Sequence, residues 1–155
     1  MLLRDQAILV TGASQGIGAD IAAACLQEGA YVAAVSRGLP QWAEAFAEKE
    51  RLLCIQADLA RASDCDRAVD EALARFGRLD GLVNNAAIFP TVSLLDSSAD
   101  LLDSVYALNV RAPFLLCRRA VETMMSAGGG SIVNVGSTHA QAGSPLLAAY
   151  APPRT

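Results

Sequence analysis

The sequence predicts an α/β protein built on a doubly wound parallel sheet, and three observations carry that prediction. Short apolar runs alternate with helical patterns from one end of the chain to the other. A glycine turn, Thr11-Gly12-Ala13-Ser14-Gln15-Gly16-Ile17-Gly18, joins the first apolar run to the first helical stretch. Hydrophobic residues make up 53% of the chain and charged ones 18%, a balance that excludes disorder and suits a sheet buried on both faces.

Each element follows in order. Ala7-Ile8-Leu9-Val10 is short and wholly apolar, the pattern of a buried parallel strand. Ile17 to Glu28 is apolar and alanine-rich and reads as a helix, with Gly29 placed to close it. Ala30 to Val35 reads as the second strand, Gln41 to Arg51 as a helix, and Leu52 to Gln56 as the third strand. Ala62 to Phe76 is a helix with its charges on one face, ended by Gly77, and Leu79 to Asn84 gives the fourth strand. Ser98 to Ala127 is long enough for an extended helix, with Pro113 marking a kink or break. Gly128-Gly129-Gly130 punctuates, and Ser131 to Val135 is the fifth strand. No linker or repeat divides residues 1–155, which therefore read as one domain with right-handed crossovers and ligands at the carboxyl ends of the strands.

Composition removes several classes of function. A net charge of −4 gives no support to a nucleic-acid surface. The four cysteines, Cys25, Cys54, Cys65 and Cys117, lack C-x-x-C spacing. Cys25 and Cys117 sit in apolar helical stretches and read as buried, reduced thiols, so neither a metal site nor a disulfide framework is expected. Met1 to Gln6 carries no signal-peptide core and no apolar run reaches membrane length, which makes the cytoplasm the expected location.

The glycine turn is the first candidate site. At a helix start the backbone N–H groups are unpaired, and the helix dipole adds about half a positive charge. A pyrophosphate can settle there if no Cβ blocks its approach, which Gly12, Gly16 and Gly18 ensure. Ser14, Gln15 and Ile17 complete the turn. The spacing is Gly-x3-Gly-x-Gly rather than the commoner Gly-x-Gly-x-x-Gly. An NAD-preferring site places Asp or Glu about twenty residues on, to accept from the ribose 2′-hydroxyl. Here that place holds Ser36, followed by Arg37. A guanidinium can bond a 2′-phosphate that a carboxylate would repel, so NADP is favoured with NAD possible; the alternative is that Arg37 is an ordinary solvated arginine.

Further short motifs follow in a fixed order. They are Ala57-Asp58-Leu59 after the third strand, Asn84-Asn85-Ala86-Ala87 after the fourth, Leu108-Asn109-Val110, and Ser137 with Tyr150 thirteen residues later. With the glycine turn, these make the chain resemble the short-chain dehydrogenase/reductase family across essentially its whole length. The resemblance implies a Rossmann-type sheet, of which the chain carries strands one to five of the family's seven and lacks the last two and the substrate lid. It assigns Asp58 and Leu59 to the adenine, and Asn85, Ala86 and Ala87 to the cofactor, with Ala87 where glycine is usual. Singly, each residue has a plainer role: Asp58 as a helix-start residue, Asn84 and Asn85 as strand-end partners for backbone groups, Ser137 as a turn residue, Tyr150 as an interface aromatic. His139, the only histidine, is read as a loop residue near the substrate.

The family's chemistry is hydride transfer between a nicotinamide and a carbonyl or alcohol carbon. The resemblance makes Tyr150 the general acid or base, Ser137 the partner of the substrate oxygen, and Asn109 the holder of a relay water. A tyrosine in water titrates at about 10, so this use needs a nearby positive charge. The family supplies it with a lysine four residues on; here the stretch is Tyr150-Ala151-Pro152-Pro153-Arg154. Arg154 keeps the charge but stays protonated, and Pro153 disfavours helical geometry at Pro152. An oxidoreductase by resemblance, with no turnover expected of this chain as it stands, is therefore the reading; the alternative is a silent nucleotide-binding or interaction module. Expected partners are a small carbonyl or alcohol and, in the full-length family, further copies of the chain; no nucleic acid or membrane is expected. Loss of one base just after the Tyr150 codon would regroup GC-rich codons of an ancestral Tyr-x-Ala-Ala-Lys so that the four residues after the tyrosine read Ala-Pro-Pro-Arg, and the ancestral frame is therefore expected to end at Tyr150.

Overall fold

Alternation within the strands decides the architecture. In the computed structural model, which describes residues 1–46, 49–140 and 146–150, β1 runs Ala7–Thr11. Leu9 points into one apolar layer, while Ile8 and Val10 point into another on the opposite face. Strand β2 (Tyr31–Ser36) divides the same way, Ala33 and Val35 against Val32 and Ala34. Because both faces of these strands are apolar, both must be covered by helices.

Helix α1 (Gly16–Gln27) covers one face through Ala22 and Leu26. The other is covered by α2 (Ala62–Phe76), through Cys65, Ala68, Val69 and Ala72, and by α4 (Ala112–Ser126), through Ala112, Leu116, Ala120 and Met124. Alanines at these contacts let the helices close onto the sheet. Strands β3 (Leu52–Gln56), β4 (Gly81–Asn84) and β5 (Ser131–Asn134) complete it. The order is β3-β2-β1-β4-β5, with every pairing parallel. From β1 the chain winds outward to β2 and β3, then returns to place β4 on the other side. That reversal opens a crevice at the carboxyl ends of β1 and β4.

Most expected elements are present with ends shifted by one or two residues, and two differ in kind. The expected helix over Gln41 to Arg51 is instead two 3-10 turns, Gln41–Ala45 and Lys49–Arg51. Trp42 anchors the first by donating Nε1 to the Ala13 carbonyl at 2.8 Å, and Phe46 leaves it in extended geometry. Lys49 Nζ then donates to the carbonyls of Ala43 (2.6 Å) and Glu44 (2.9 Å), oxygens that a continuous α-helix would bond four residues on. The long helix from Ser98 is α3 (Ala99–Tyr106), a wide π turn (Ala107–Arg111) and then α4. Ser98 caps α3, its Oγ accepting from the Leu101 N–H at 3.1 Å. The irregularity lies just before Pro113 rather than at it. Proline has no N–H for the carbonyl four residues back, and the wider turn accommodates that loss.

The cysteines also depart from expectation. All four are free thiols, but Cys25 and Cys117 are only half-buried, and the fully buried one is Cys65. Burial, with Asp66 adding to it, pushes the Cys65 thiol up to about 11.

Candidate functional site

A cleft of about 370 Å³ opens at the carboxyl ends of the strands, where the winding reverses. Gly12, Ser14 and Gln15 after β1 form its floor, and Ser36 and Arg37 after β2 form one wall. Asp58 and Leu59 after β3, with Asn85, Ala86 and Ala87 after β4, close the remaining sides. Ten of the residues expected to hold a cofactor thus meet in one place. Gly16, Ile17 and Gly18 lie in the first turn of α1, Ile17 exposed and Gly18 buried.

The glycines have separate physical reasons. Gly12 sits at φ +68, and a Cβ there would lie 2.9 Å from Ala86 Cα. At Gly18 a Cβ would run into the Gly12 carbonyl oxygen and lie 2.5 Å from Asn85 Nδ2. These two allow the turn, α1 and the loop after β4 to touch. Gly16, at φ +58, has open space in front of it. Gln15 precedes α1 without capping it by its side chain, and the first turn carries no acidic residue. The donor set is therefore a row of backbone N–H groups at an uncapped helix start, which fits a dinucleotide pyrophosphate.

The loops around the cleft are held by specific bonds. Thr11 Oγ1 accepts from the N–H groups of Asn85 (2.9 Å) and Ala86 (3.0 Å) and donates to the Val83 carbonyl (3.2 Å). Asn85 Nδ2 donates back to the Thr11 carbonyl at 2.9 Å. Asp58 Oδ1 accepts from the Ala60 N–H at 3.1 Å, so this residue starts the turn into α2 as well as lining the cleft. Its own N–H goes to Asp64 Oδ2 at 2.8 Å, and this bond is the main reason the Asp64 carboxyl lies below the usual range.

The second wall separates two neighbours that the sequence paired. Ser36 turns inward and donates its hydroxyl to the Gly38 carbonyl at 2.7 Å. Arg37 is exposed, and among the described residues its guanidinium has no partner. Gln56 Nε2 donates to the Arg37 carbonyl at 2.9 Å, a contact the sequence reading missed; its only signal was a polar residue closing an otherwise apolar strand.

A second cavity, of about 680 Å³, adjoins the first and brings together Asn109, Ser137 and Tyr150. Asn109 lies in the π turn. Its Oδ1 accepts from the Ile88 N–H and its Nδ2 donates to the Ile88 carbonyl, both at 2.9 Å. Each amide atom thus makes one bond to the loop after β4, and a second Nδ2 hydrogen and a second Oδ1 lone pair remain beyond those bonds. Ser137 Oγ accepts from the His139 N–H at 3.2 Å and lies 3.4 Å from His139 Nδ1. Phe89 packs edge-on against both His139 and Tyr150, with ring centroids 5.7 and 4.7 Å away. The sequence analysis gave no site role to Phe89, Cys117 or Asn134, yet Asn84 Nδ2 bridges Asn134 Oδ1 (2.8 Å) and Cys117 Sγ (3.3 Å) at this cavity's floor. Arg154 and residues 151–153 lie outside the described residues.

Among the described residues, no cluster of His, Cys, Asp and Glu could hold a metal ion, and no helix is long and apolar enough to cross a membrane.

Comparisons with known proteins agree with this geometry. A family model described as short chain dehydrogenase matches residues 6–152. The 2-(S)-hydroxypropyl-CoM dehydrogenase 3 of Xanthobacter autotrophicus is 37% identical, over 96% of this chain and 60% of its own length. The D-threitol dehydrogenase of Mycolicibacterium smegmatis is 39% identical, over 83% of this chain and 51% of its own. A short chain dehydrogenase of Burkholderia cenocepacia, solved in complex with NADP, superposes with a TM-score of 0.88 at 36% identity. That likeness covers 97% of this chain and 63% of the Burkholderia one. The chain thus spans between about half and three fifths of the length of these relatives. With its glycine turn at the start of α1, its five-stranded order and the family match over nearly all its residues, this chain belongs to the short-chain dehydrogenase/reductase family.

Proposed function

We propose that the cleft binds a nicotinamide dinucleotide, NADP in preference to NAD, in the service of carbonyl or alcohol chemistry. The observation that carries this reading is Arg37: it is exposed at the cleft wall, its guanidinium has no partner among the described residues, and it follows Ser36, which stands where an NAD site would place a carboxylate. The NADP bound by the Burkholderia relative supports it. When bound, the dinucleotide supplies or accepts the hydride.

The chain's own residues would handle the substrate oxygen. Tyr150 would give that oxygen a proton in reduction or take one in oxidation. Ser137 accepts from the His139 N–H, and its hydroxyl proton, shared with His139 Nδ1 at 3.4 Å, would turn to donate to the same oxygen. Phe89, packed against His139 and Tyr150, would keep Tyr150 facing the cavity. Asn109 would fix the loop that carries Phe89 through its paired bonds to Ile88.

A second reading, a nucleotide-binding module without turnover, is favoured by Arg154 at the position four after Tyr150. A guanidinium carries charge but stays protonated at neutral pH, so it cannot pass a proton on as a lysine can. Titration with NADP and NAD, run beside a carbonyl-reduction screen, tests both readings. NADP binding with turnover supports the first, and binding without turnover the second. Equal affinity for the two nucleotides in folded protein sinks the NADP preference.

A further inference from the structure

Two walls of the cofactor cleft, Arg37 and Asp58, are built on different strands, yet both are tied to the start of α2. Asp64 Oδ2 accepts from the Asp58 N–H at 2.8 Å. The same carboxylate reaches Arg67 at 3.3 Å, and Arg67 is also paired with Glu71 at 2.6 Å. Arg67 Nη2 donates to the Gln56 carbonyl at 3.0 Å, and Gln56 Nε2 donates to the Arg37 carbonyl at 2.9 Å. Gln56 closes β3 in register with Ser36, so it stands beside the last residue of β2 just where the chain leaves the sheet. Among the described residues, no other side chain bonds the Arg37 main chain.

We propose that Gln56 is a specificity-determining positioning residue, which aims Arg37 at a phosphate monoester on the ribose of the dinucleotide. The proposal rests on the reading of Arg37 given above. Arginine has a long, rotamer-rich side chain, and holding it in one place costs entropy. Fixing the carbonyl of residue 37 fixes the direction in which its Cα–Cβ bond leaves the chain, so fewer side-chain conformers must be sampled before the guanidinium meets the phosphate. NAD has no group at that point, so its affinity should not depend on the bond. Ser36 cannot take over this role, because its hydroxyl is directed to Gly38. Asp64 and Arg67 are a poorer test, since they also hold the Asp58 wall and would change the affinity of both nucleotides.

The test is calorimetric titration of residues 1–155 with NADP and with NAD, using Gln56→Met, Gln56→Ala, Arg37→Ala and the Arg37→Ala/Gln56→Met pair. Gln56→Met keeps the stem and removes the donor, and Gln56 is exposed, so folding should be retained; circular dichroism and melting confirm this. Either Gln56 variant is expected to weaken NADP about three- to tenfold, the range of one lost neutral hydrogen bond, with NAD unchanged within about twofold. The double variant should bind NADP no more weakly than Arg37→Ala alone, because both changes act through one guanidinium. If Arg37→Ala removes the NADP preference but the Gln56 variants leave it intact, or weaken both nucleotides equally, the role of Gln56 is overturned and that of Arg37 stands. If the unsubstituted chain shows no preference, binds neither nucleotide, or keeps its preference in Arg37→Ala, the reading of Arg37 falls and this inference falls with it.

Discussion

Thr11 Oγ1 is the shared acceptor of two consecutive backbone N–H groups, those of Asn85 and Ala86, and Asn85 returns a side-chain bond to the Thr11 carbonyl. The two residues are 74 apart in sequence and lock together the ends of β1 and β4, on which the cleft stands. Thr11 is 1% exposed, so water cannot replace the lost acceptor on its side of the contact. Thr11→Val, nearly the same shape, should therefore cost about 2–4 kcal/mol, read as a lower denaturant midpoint. Thr11→Ser keeps the oxygen and should cost only about 1 kcal/mol, the worth of one buried methyl. Equal losses for the two variants would show that packing, not the hydroxyl, holds these strands.

Ser36 offers a way to invert the proposed nucleotide preference. Its buried hydroxyl bonds Gly38, and an aspartate in its place would lose that bond and put a carboxylate at the cleft wall. Ser36→Asp is expected to reverse the order of NADP and NAD affinity, shifting the ratio about ten- to a hundredfold. Measured dissociation constants that keep the original order would refute this.

Trp42 is the only tryptophan, and its indole N–H holds the Ala13 carbonyl inside the glycine turn. Its emission should therefore change when a dinucleotide settles on that turn. If the proposed dinucleotide rests on this turn, Trp42→Phe should weaken both NADP and NAD by about two- to tenfold, because the loss of one hydrogen bond loosens the glycine turn. A titration that saturates by calorimetry with no change in Trp42 emission would place the nucleotide elsewhere.

Asp80 gives a pH signature. Burial alone would raise its carboxyl, but the Arg78 fork and the Ala7 N–H outweigh burial and hold it below the ordinary carboxylate value. A depressed folded pKa stabilises the fold above the unfolded value of about 3.9, and the contribution is lost as pH falls through the folded one. Asp80→Asn should be less stable than the unsubstituted chain by about 1–2 kcal/mol from pH 8 to pH 5, with the gap closing on acidification below about pH 4. A gap independent of pH down to 2 would mean that the charge contributes nothing.

Strand β5 forms an edge of the sheet among the described residues, with Val133 53% and Val135 41% exposed. Unpaired backbone groups beside exposed β-branched side chains favour pairing with another chain. The chain is expected to self-associate, and Val133→Lys should shift it toward monomer in sedimentation analysis. A monodisperse monomer at high concentration without the substitution would contradict this.

What the sequence determined by itself was set by burial. Leu9 against Ile8 and Val10, Val35 against Val32, and alanines repeating along α2 announce which faces meet water, and these give the strand and helix order, the glycine turn and most of the cleft. Tertiary structure decided where partners lie far apart in the chain. The 41–51 stretch is helical in composition but breaks into 3-10 turns because Trp42 is held by Ala13 and Lys49 bonds the carbonyls a helix would use. Ser36 and Arg37 are adjacent letters, yet one turns in to Gly38 and the other stays at the cleft wall, backed by Gln56 from a neighbouring strand. Asn109 stands out in the sequence as an asparagine inside a helical stretch, but its attachment to Ile88 depends on a π turn that periodicity does not encode. Periodicity records which face of an element is buried; which atom a side chain bonds depends on what the fold brings within about 3 Å of it.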